Sequence, residues 1–427
     1  MVRGGSSHKC SEDFCLFAAA ATQRRHLFLH NGGFHEAIAP VLVIAQCFSL
    51  MPVCGIYAAT AQGLRFSWRS WRTWYSVLCI CSLSVDTIFT INMTAHSLLD
   101  VRNVEPIIFH VCNLLGFCVF LQLARKWPSL MRHWAAVEKQ LPPHQNWKQR
   151  EHLARRIHQV AMLLLSLSLV EHLLSIIAFV YHDLCPSRRD PIESYLFATG
   201  PQLFHLFAYS NWLGWLGKLQ NVLLTFSWSY MDIFLMLLGI GLNDLLTRLT
   251  CHLQHAVQQP MPEEFWTHTR KRYRAIVELI YEVDDAVSVL IIVSFGSNLY
   301  FVCLQLLKSI NTMPSTVHAF YFYFSLSFLI GRSTAVLLFV SSVNDAARDP
   351  LLQLLRQVPH AGYSDEVSRL ASELSADNVS LSGLKFFSIT RKLFLTVAGS
   401  IVTYELVLIQ FHEDKKSWDC HTQQLLN

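Results

Sequence analysis

The chain has 427 residues, of which 52% are hydrophobic and only 15% are charged, with a net charge of +4 and a mean hydropathy of +0.32. A globular domain carries about 25% charged residues, and this sequence also contains apolar stretches long enough to cross a hydrocarbon core of ~30 Å. These features indicate a polytopic membrane protein. They exclude a soluble enzyme, a disulfide scaffold, a disordered chain and a nucleic-acid-binding protein.

Eight apolar stretches follow one another along the chain. Their length, and the absence of alternation between polar and apolar residues, favour helices over membrane strands. The stretches cover residues 37–61, 73–96, 105–124, 157–181, 219–243, 286–307, 317–341 and 393–411.

The basic residues are unevenly distributed among the connections between these stretches. The connections 62–72, 125–156, 244–285 and 342–392 together carry 22 Lys and Arg residues, whereas the alternate set carries seven. Cytoplasmic loops of membrane proteins carry an excess of Lys and Arg. We therefore expect the first set to face the cytoplasm.

The first apolar stretch, 37–61, does not fit a simple span. The segment before it has four Lys and Arg residues and is also expected to be cytosolic, so the stretch must enter and leave on the same side. Pro40, Pro52 and Gly55 suit a broken, re-entrant element. The sequence thus predicts an all-α membrane protein with seven transmembrane helices, an N-terminal re-entrant helix, a cytosolic N-terminus and an extracellular C-terminus. Eight complete spans with the N-terminus outside remain the alternative.

The end of the last apolar stretch carries a motif, Thr403-Tyr404-Glu405-Leu406-Val407-Leu408-Ile409-Gln410-Phe411. It resembles the signature of the insect gustatory receptors, and the acid after the Tyr is similar to that of their sugar-receptor branch. Further matches to that branch are Val43-Ile44-Ala45-Gln46, Leu64-Arg65-Phe66, Phe295-Gly296-Ser297-Asn298-Leu299-Tyr300, Ser325-Leu326-Ser327-Phe328-Leu329-Ile330-Gly331-Arg332 and Lys385-Phe386-Phe387-Ser388. The resemblance covers the chain from about residue 35 to 411.

The resemblance implies a tetrameric ligand-gated cation channel in which the last helix of each subunit lines one central pore. It also implies a ligand site in the outer half of the other helices, and a topology that agrees with the one inferred from charge. The predicted regions are 1–36, cytosolic N-terminus; 37–61, re-entrant helix; 62–341, six-span ligand-binding bundle; 342–392, cytosolic loop and inter-subunit anchor; 393–411, pore-lining helix; and 412–427, extracellular tail.

The last helix places Thr403, Val407 and Gln410 on one face, at positions i, i+4 and i+7. Four copies of this face would form a narrow, mostly apolar wall with a ring of amides, and such a constriction can gate by dewetting. The matching Gln and Phe form the gate in the gustatory receptors, which implies this role for Gln410 and Phe411. Hydrogen bonding between helices is the alternative role for the Gln and Thr.

Glu405 lies away from the predicted pore face. A charge within the membrane needs a partner, and Arg332 in the sixth span lies at a similar depth. The sequence therefore suggests an ion pair between Glu405 and Arg332.

The spans carry polar and ionisable residues at the midplane or in the outer half, and such residues mark functional sites in membranes. Carboxylates and amides bind adjacent hydroxyls, and aromatic rings pack against the C–H surface of a sugar. Amine or alkaloid ligands would also accept this composition, and structural hydrogen bonding between helices is the alternative for each residue. The predicted ligand-binding residues are Asp86, His110, Glu171, His172, Trp228, Asp232, Asn298, Gln305, Tyr321 and Tyr323.

The sequence thus predicts a sugar-gated, non-selective cation channel in the plasma membrane of taste neuron dendrites. Its expected partners are a mono- or disaccharide, permeating cations, the lipid bilayer and further copies or related receptors in a homotetramer or heteromer. No enzyme activity, cofactor, metal or nucleic acid is expected. The alternative is a seven-span receptor that signals through a G protein, but the sequence lacks an Asp-Arg-Tyr motif after the third span and an Asn-Pro-x-x-Tyr motif in the last.

Overall fold

The computed structural model describes residues 33–95, 101–142, 147–182, 191–257, 259–310, 313, 315–359 and 363–411. Almost all of the regular structure in these residues is helical. The prediction of an all-helical membrane protein is therefore confirmed. The predicted extracellular tail, 412–427, and most of the predicted cytosolic N-terminus lie outside the described residues.

Eleven helices and one small hairpin make up the described part of the chain. The helices are α1 Phe34–Cys47, α2 Trp71–Ala95, α3 Val101–Gln140, α4 Trp147–His182, α5 Pro191–Thr199, α6 Pro201–Leu206, α7 Asn211–Ala256, α8 Glu263–Ser309, α9 Thr316–Leu355, α10 Asp365–Ala376 and α11 Arg391–Phe411. A 3₁₀ turn, Ala61–Gly63, precedes α2. Strands β1 Ser382–Gly383 and β2 Phe387–Ser388 pair antiparallel between α10 and α11.

Six helices, α2, α3, α4, α7, α8 and α9, are long and apolar enough to cross a membrane. Several run far beyond the apolar stretches: α8 has 47 residues, which is about 70 Å at 1.5 Å per residue. The basic connection 125–156 is largely helical, because α3 continues to Gln140 and α4 begins at Trp147. Helix α11 has 21 residues and coincides with the seventh predicted span.

Helix α1 is the short apolar element before these helices. Its 14 residues extend about 21 Å, less than the hydrocarbon thickness, so this length favours a re-entrant element over a full span. After Cys47 the chain turns back, and Gln46 Nε2 donates to the carbonyl oxygens of Met51 and Val53 at 3.0 and 2.6 Å. The Glu138 carboxylate accepts from the Phe34 N–H at 2.9 Å and fixes the first turn of α1 against α3.

Helix α7 is the most buried of the six long helices and packs against α3, α4, α5, α8 and α9. Its contact with α9 is especially close. A Cβ at Gly239 would lie 2.7 Å from the carbonyl oxygen of Phe339, so only glycine allows the two backbones this approach. The packing places the side chains of α7 at the centre of the bundle, which is where the candidate site lies.

The cytosolic segment predicted between 342 and 392 is anchored by charged side chains. Arg270 of α8 donates to Glu366 of α10 at 2.8 Å and to Glu373 at 3.1 Å. Desolvation alone would raise the pKa of Glu366, but hydrogen bonds from Arg369 and Arg270 reverse the sign and hold that pKa below its ordinary value. The result is a fixed position for α10 against α8.

The short hairpin follows α10 and was not expected from the sequence. Asp284 of α8 is buried and accepts from the Ser382 N–H at 2.5 Å and from the Ser382 hydroxyl at 2.8 Å. Asn344 of α9 donates to the carbonyl oxygen of Val379 at 2.9 Å. These contacts hold the segment that leads into α11 against α8 and α9.

Replacing Asp284 by alanine should loosen this hairpin. The substitution leaves a buried N–H without an acceptor, at a cost of about 1–3 kcal/mol, and we expect a lower melting temperature of the detergent-solubilised protein. Asp285→Ala is the matched control because that neighbouring side chain is 72% exposed and its ion pair with Lys126 is long, at 3.8 Å. Equal melting temperatures for the two variants would contradict the anchoring role of Asp284.

Candidate functional site: a buried polar level in the helical bundle

An ion pair between Asp232 and Arg332 lies at the centre of the site. The two side chains are 0% and 2% exposed, and Arg332 Nε lies 2.8 Å from Asp232 Oδ2. Ser294 donates to the other carboxylate oxygen at 2.5 Å, and Asn298 Nδ2 lies 3.0 Å from both oxygens. Asp232 lies on α7 and Arg332 on α9, and both side chains that donate to the carboxylate lie on α8. The ion pair and its hydrogen bonds therefore join three helices.

Arg332 makes further contacts that orient its guanidinium. Its Nη1 donates to the Ser229 hydroxyl at 2.8 Å, and that hydroxyl lies 2.8 Å from the hydroxyl of Ser168 on α4. The guanidinium also lies over the ring of Trp228, 4.7 Å from its centroid, and over Phe328 at 5.4 Å. These contacts with side chains of α7 and α9, together with the ion pair, fix the position of the Arg332 guanidinium.

The sequence suggested Glu405 as the partner of Arg332. The structure instead pairs Arg332 with Asp232, which is on the adjacent, central helix. The side chain of Glu405 lies outside the described residues.

A second polar group lies on the same helices. The Ser325 hydroxyl of α9 donates to Glu171 of α4 at 2.6 Å and accepts from Gln305 of α8 at 3.3 Å. Tyr321 stands one turn before Ser325 on the same face of α9. This group therefore brings together three of the predicted residues, Glu171, Gln305 and Tyr321, through a serine that the sequence marked only as part of a family match.

Aromatic side chains enclose the first group. The ring of Trp228 lies 4.9 Å from that of Phe301 and 5.8 Å from that of Phe109, measured between centroids. Phe109 and Phe301 themselves meet edge to face at 6.3 Å. Together these rings give one side of the polar level an apolar, aromatic wall.

Besides Arg332 Nε, which lies against Asp232 in the ion pair, three buried polar atoms at this level have no hydrogen-bond partner within the described protein. They are Trp228 Nε1, Asn298 Oδ1 and Gln305 Oε1. Buried polar groups are normally hydrogen-bonded because leaving one unpaired is costly. One donor and two acceptors are thus available to a ligand or to water beside the aromatic wall.

The other predicted residues lie in separate places. Asp86 of α2 accepts from Gln202 of α6 at 2.9 Å and lies 3.2 Å from His110 Nε2 of α3, which joins the short helix α6 to the bundle. His172 of α4 accepts from Lys218 at 3.3 Å. Tyr323 is 52% exposed and points away from the bundle, so it is not brought together with Tyr321.

The predicted pore helix α11 packs against α8 and α9. Thr403 is exposed, with its hydroxyl donating to the carbonyl oxygen of Gly399 at 2.9 Å. The backbone of α11 is helical to Phe411, but the side chains of Val407, Gln410 and Phe411 lie outside the described residues. Their predicted gating role stays a prediction.

Sequence reasoning missed several residues that the structure places in the site. Ser294, Ser325 and Ser229 all bond directly to its charged groups, and Gln202 bonds to Asp86. Serines are common in membrane helices, where they satisfy neighbouring backbone groups. No pattern in the sequence separates these serines from those that bond to their own helix.

The buried ion pair should be needed for folding. Asp232→Leu alone leaves an uncompensated guanidinium at the centre of the bundle, which costs about 3–5 kcal/mol, whereas replacing both partners by apolar residues of similar volume is far less costly. We expect Asp232→Leu and Arg332→Met each to lose most of the monodisperse protein on size-exclusion chromatography in detergent, and the double variant to recover much of it. Single variants as stable as the unchanged protein would contradict this role.

Comparisons with known proteins identify the relatives of this chain. Residues 17–420 match the family model of the trehalose receptors. The chain is 65% identical to the Drosophila melanogaster gustatory receptor 5a for trehalose, over 93% of this chain and 89% of that protein. It is 44% identical to the Drosophila melanogaster gustatory receptor for sugar taste 64f, over 93% of this chain and 84% of that one.

The fold resembles that of solved insect receptors. The olfactory receptor OR5 from Machilis hrabei superposes with a TM-score of 0.62 and 17% identity, over 81% of this chain and 90% of that one. Its complex with eugenol gives a TM-score of 0.61, with coverage of 80% and 90%. By its sequence, the chain belongs to the trehalose receptor family, within the sugar-receptor branch of the insect gustatory receptors.

Proposed function

We propose that this protein is a sugar-gated, non-selective cation channel of taste neurons, and that the sugar binds at the buried polar level between α4, α7, α8 and α9. The observation that carries the proposal is the set of three unpartnered polar atoms on Trp228, Asn298 and Gln305 beside an aromatic wall. The relatives named for trehalose and for sugar taste support a sugar as the ligand.

The chemistry of this level suits a polyol. A sugar hydroxyl both donates and accepts, so it can donate to an amide oxygen of Asn298 or Gln305 and accept from the Trp228 N–H. Its C–H surface matches an aromatic face such as that of Trp228. The carboxylate of Glu171, which receives only the Ser325 hydroxyl among the described hydrogen bonds, retains acceptor capacity for a further hydroxyl.

The sequence predicts that Asp232 binds the ligand directly, whereas in this proposal it acts through Asn298. Its oxygens already accept from Ser294 and Asn298 and face Arg332. We infer that Asp232 orients the Asn298 amide by accepting a hydrogen bond from its nitrogen, and that the amide oxygen is thereby presented to the sugar. Asp232 is therefore a positioning residue.

The pore is proposed to be formed by α11 from four subunits, with the gate at Gln410 and Phe411. The exposure of Leu395, Val402 and Tyr404 supports this arrangement, since apolar side chains of a membrane helix that do not pack within one subunit are available to lipid or to further copies. Sugar binding would shift α8 and α9, and α11 would follow because it packs against both.

Gln305→Leu should weaken sugar binding. It removes a buried acceptor for which the described residues offer no donor. Losing a hydrogen bond of about 1–2 kcal/mol corresponds to roughly a tenfold rise in the half-maximal sugar concentration. Sugar-dependent thermal stabilisation of the purified protein measures this without requiring channel opening. Tyr323→Leu is the matched control, because Tyr323 lies on the opposite side of α9 and its loss should leave the affinity unchanged.

Gln410→Ala should change gating and leave sugar affinity unaltered. Removing the amide from the predicted constriction alters how easily it hydrates, so we expect a changed basal current at zero sugar. Currents and sugar-dependent thermal stabilisation are measured on the same variant. A normal basal current together with a large loss of affinity would place Gln410 in the ligand site.

The proposal as a whole is tested by recording from excised patches of cells that express only this chain, in nucleotide-free solution, with trehalose and other mono- and disaccharides on the extracellular face. Sugar-evoked cation current is the expected result. Sugar responses that occur only in intact cells would favour signalling through a G protein and would contradict the channel. Surface protein that binds sugar without current would indicate an obligate partner receptor.

A further inference from the structure

A row of exposed tryptophans marks the beginning of α2. Residues 68–74 read Trp-Arg-Ser-Trp-Arg-Thr-Trp, and the tryptophans Trp68, Trp71 and Trp74 are 55%, 73% and 63% exposed. Large apolar side chains on a monomer surface need a partner when they form a continuous patch. Neither the proposed sugar site nor the proposed pore uses these residues.

The helix fixes which side of this segment faces outward. Thr73 and Ser76 are buried against the bundle, and the Ser76 hydroxyl donates to the carbonyl oxygen of Ser49 at 2.5 Å. Trp71, Trp74 and Leu78 follow at i, i+3 and i+7 and lie together on the opposite, exposed side. The exposed tryptophans are therefore held outward by the packing of the other face.

Basic side chains surround these rings. Arg65 and Arg69 are exposed, and the guanidinium of Arg125 on α3 lies over the Trp68 ring, 5.5 Å from its centroid. There is no Asp or Glu in the sequence between Glu36 and Asp86. Among the described ion pairs, none involves Arg65, Arg69 or Arg125, so their charges are available to an anion.

The patch lies at the level where two helices meet the membrane boundary. The predicted span of α2 begins at residue 73 and that of α3 ends at 124, so the rings and the three arginines flank the same edge of the apolar region. Tryptophan is enriched at membrane interfaces, where its ring lies at the headgroup level. Arginine binds phosphate through two parallel N–H donors.

We propose that this Trp–Arg patch, formed by Arg65, Trp68, Arg69, Trp71, Trp74 and Arg125, binds the headgroup of an anionic phospholipid. The arginines bind the phosphate and the adjoining negative charge, and the tryptophans pack against the glycerol and upper acyl region. The proposal uses the orientation in which residues 62–72 are cytosolic, which places the patch in the leaflet that carries anionic lipids. It does not depend on the sugar site.

The experiment measures lipid binding to the full-length protein in a neutral detergent by native mass spectrometry. The probes are dioctanoyl phosphatidylserine and dioctanoyl phosphatidylcholine. We expect the unchanged protein to prefer the serine lipid by at least about tenfold, and the variant R65Q/R69Q/R125Q to lose most of that preference, since each juxtamembrane basic residue contributes to anionic-lipid attraction.

The control variant is K139Q/K271Q/R356Q, which removes three exposed basic residues from elsewhere on the described surface. It should keep the lipid preference, and an equal loss in both triple variants would overturn the patch as the site. The single variant Trp71→Ala, which changes no charge, should weaken retention of both lipids. Competition by inorganic phosphate at equal concentration would show a phosphate site without lipid and would also overturn the proposal.

Sugar-dependent thermal stabilisation is measured on the same samples. The variant R65Q/R69Q/R125Q should keep it, because none of its three positions contacts the buried polar level. A protein that binds the serine lipid but no sugar would contradict the proposed function and leave the lipid site standing. A protein that binds sugar but shows no lipid preference would contradict the lipid site and leave the proposed function standing.

Discussion

The Asp232–Arg332 ion pair is the constraint on which the central part of this structure depends. A membrane interior offers no water to either charge, so each must be neutralised by the protein. The carboxylate is on the most buried helix and the guanidinium is on its closest neighbour, and both are supplied with additional hydrogen bonds. Such a pair is satisfied only when α7, α8 and α9 are in register with one another.

This register has a consequence for ligand recognition. The amide nitrogen of Asn298 donates to Asp232, while its buried amide oxygen has no partner in the described part of the chain. The indole of Trp228 is similarly held on one face by Arg332, and its N–H has no acceptor among the residues that the structure describes. A site that is polar, oriented and unsatisfied is preorganised for a ligand that brings its own donors and acceptors.

The sequence was sufficient for the fold class, an all-helical membrane protein. Length, low charge and the uneven distribution of Lys and Arg predict a helical membrane bundle, and the motif ending in Gln410 and Phe411 predicts the family. It was also sufficient to select Asp232, Asn298 and Trp228 as members of one polar level. These properties depend on the composition and on the position of each polar residue within its apolar stretch, and both can be read from the sequence.

The lateral arrangement of side chains was not predictable. Tyr321 and Tyr323 differ by two positions, which turns them about 200° apart on a helix, but both faces of α9 are apolar and so give no periodic signal. Several acidic residues lie at a depth in the membrane similar to that of Arg332. Only the packing of α9 on α7 decides that Asp232 is its partner. The short hairpin was missed for a related reason, because its anchor is a distant residue, Asp284, of another helix.

Helix α9 connects the buried polar level with the beginning of the proposed pore helix. Ser325 and Arg332 contact the candidate sugar site, and 13 residues beyond Arg332, about 20 Å along the helix, Asp345 lies 2.5 Å from Arg391 at the first residue of α11. Because a continuous helix transmits displacement along its axis better than sideways, movement imposed at the polar level is carried to that ion pair. In the proposed channel, α9 holds the end of α11 nearest Arg391 through this ion pair, so movement of α9 would reach the pore helix at the end opposite the proposed gate.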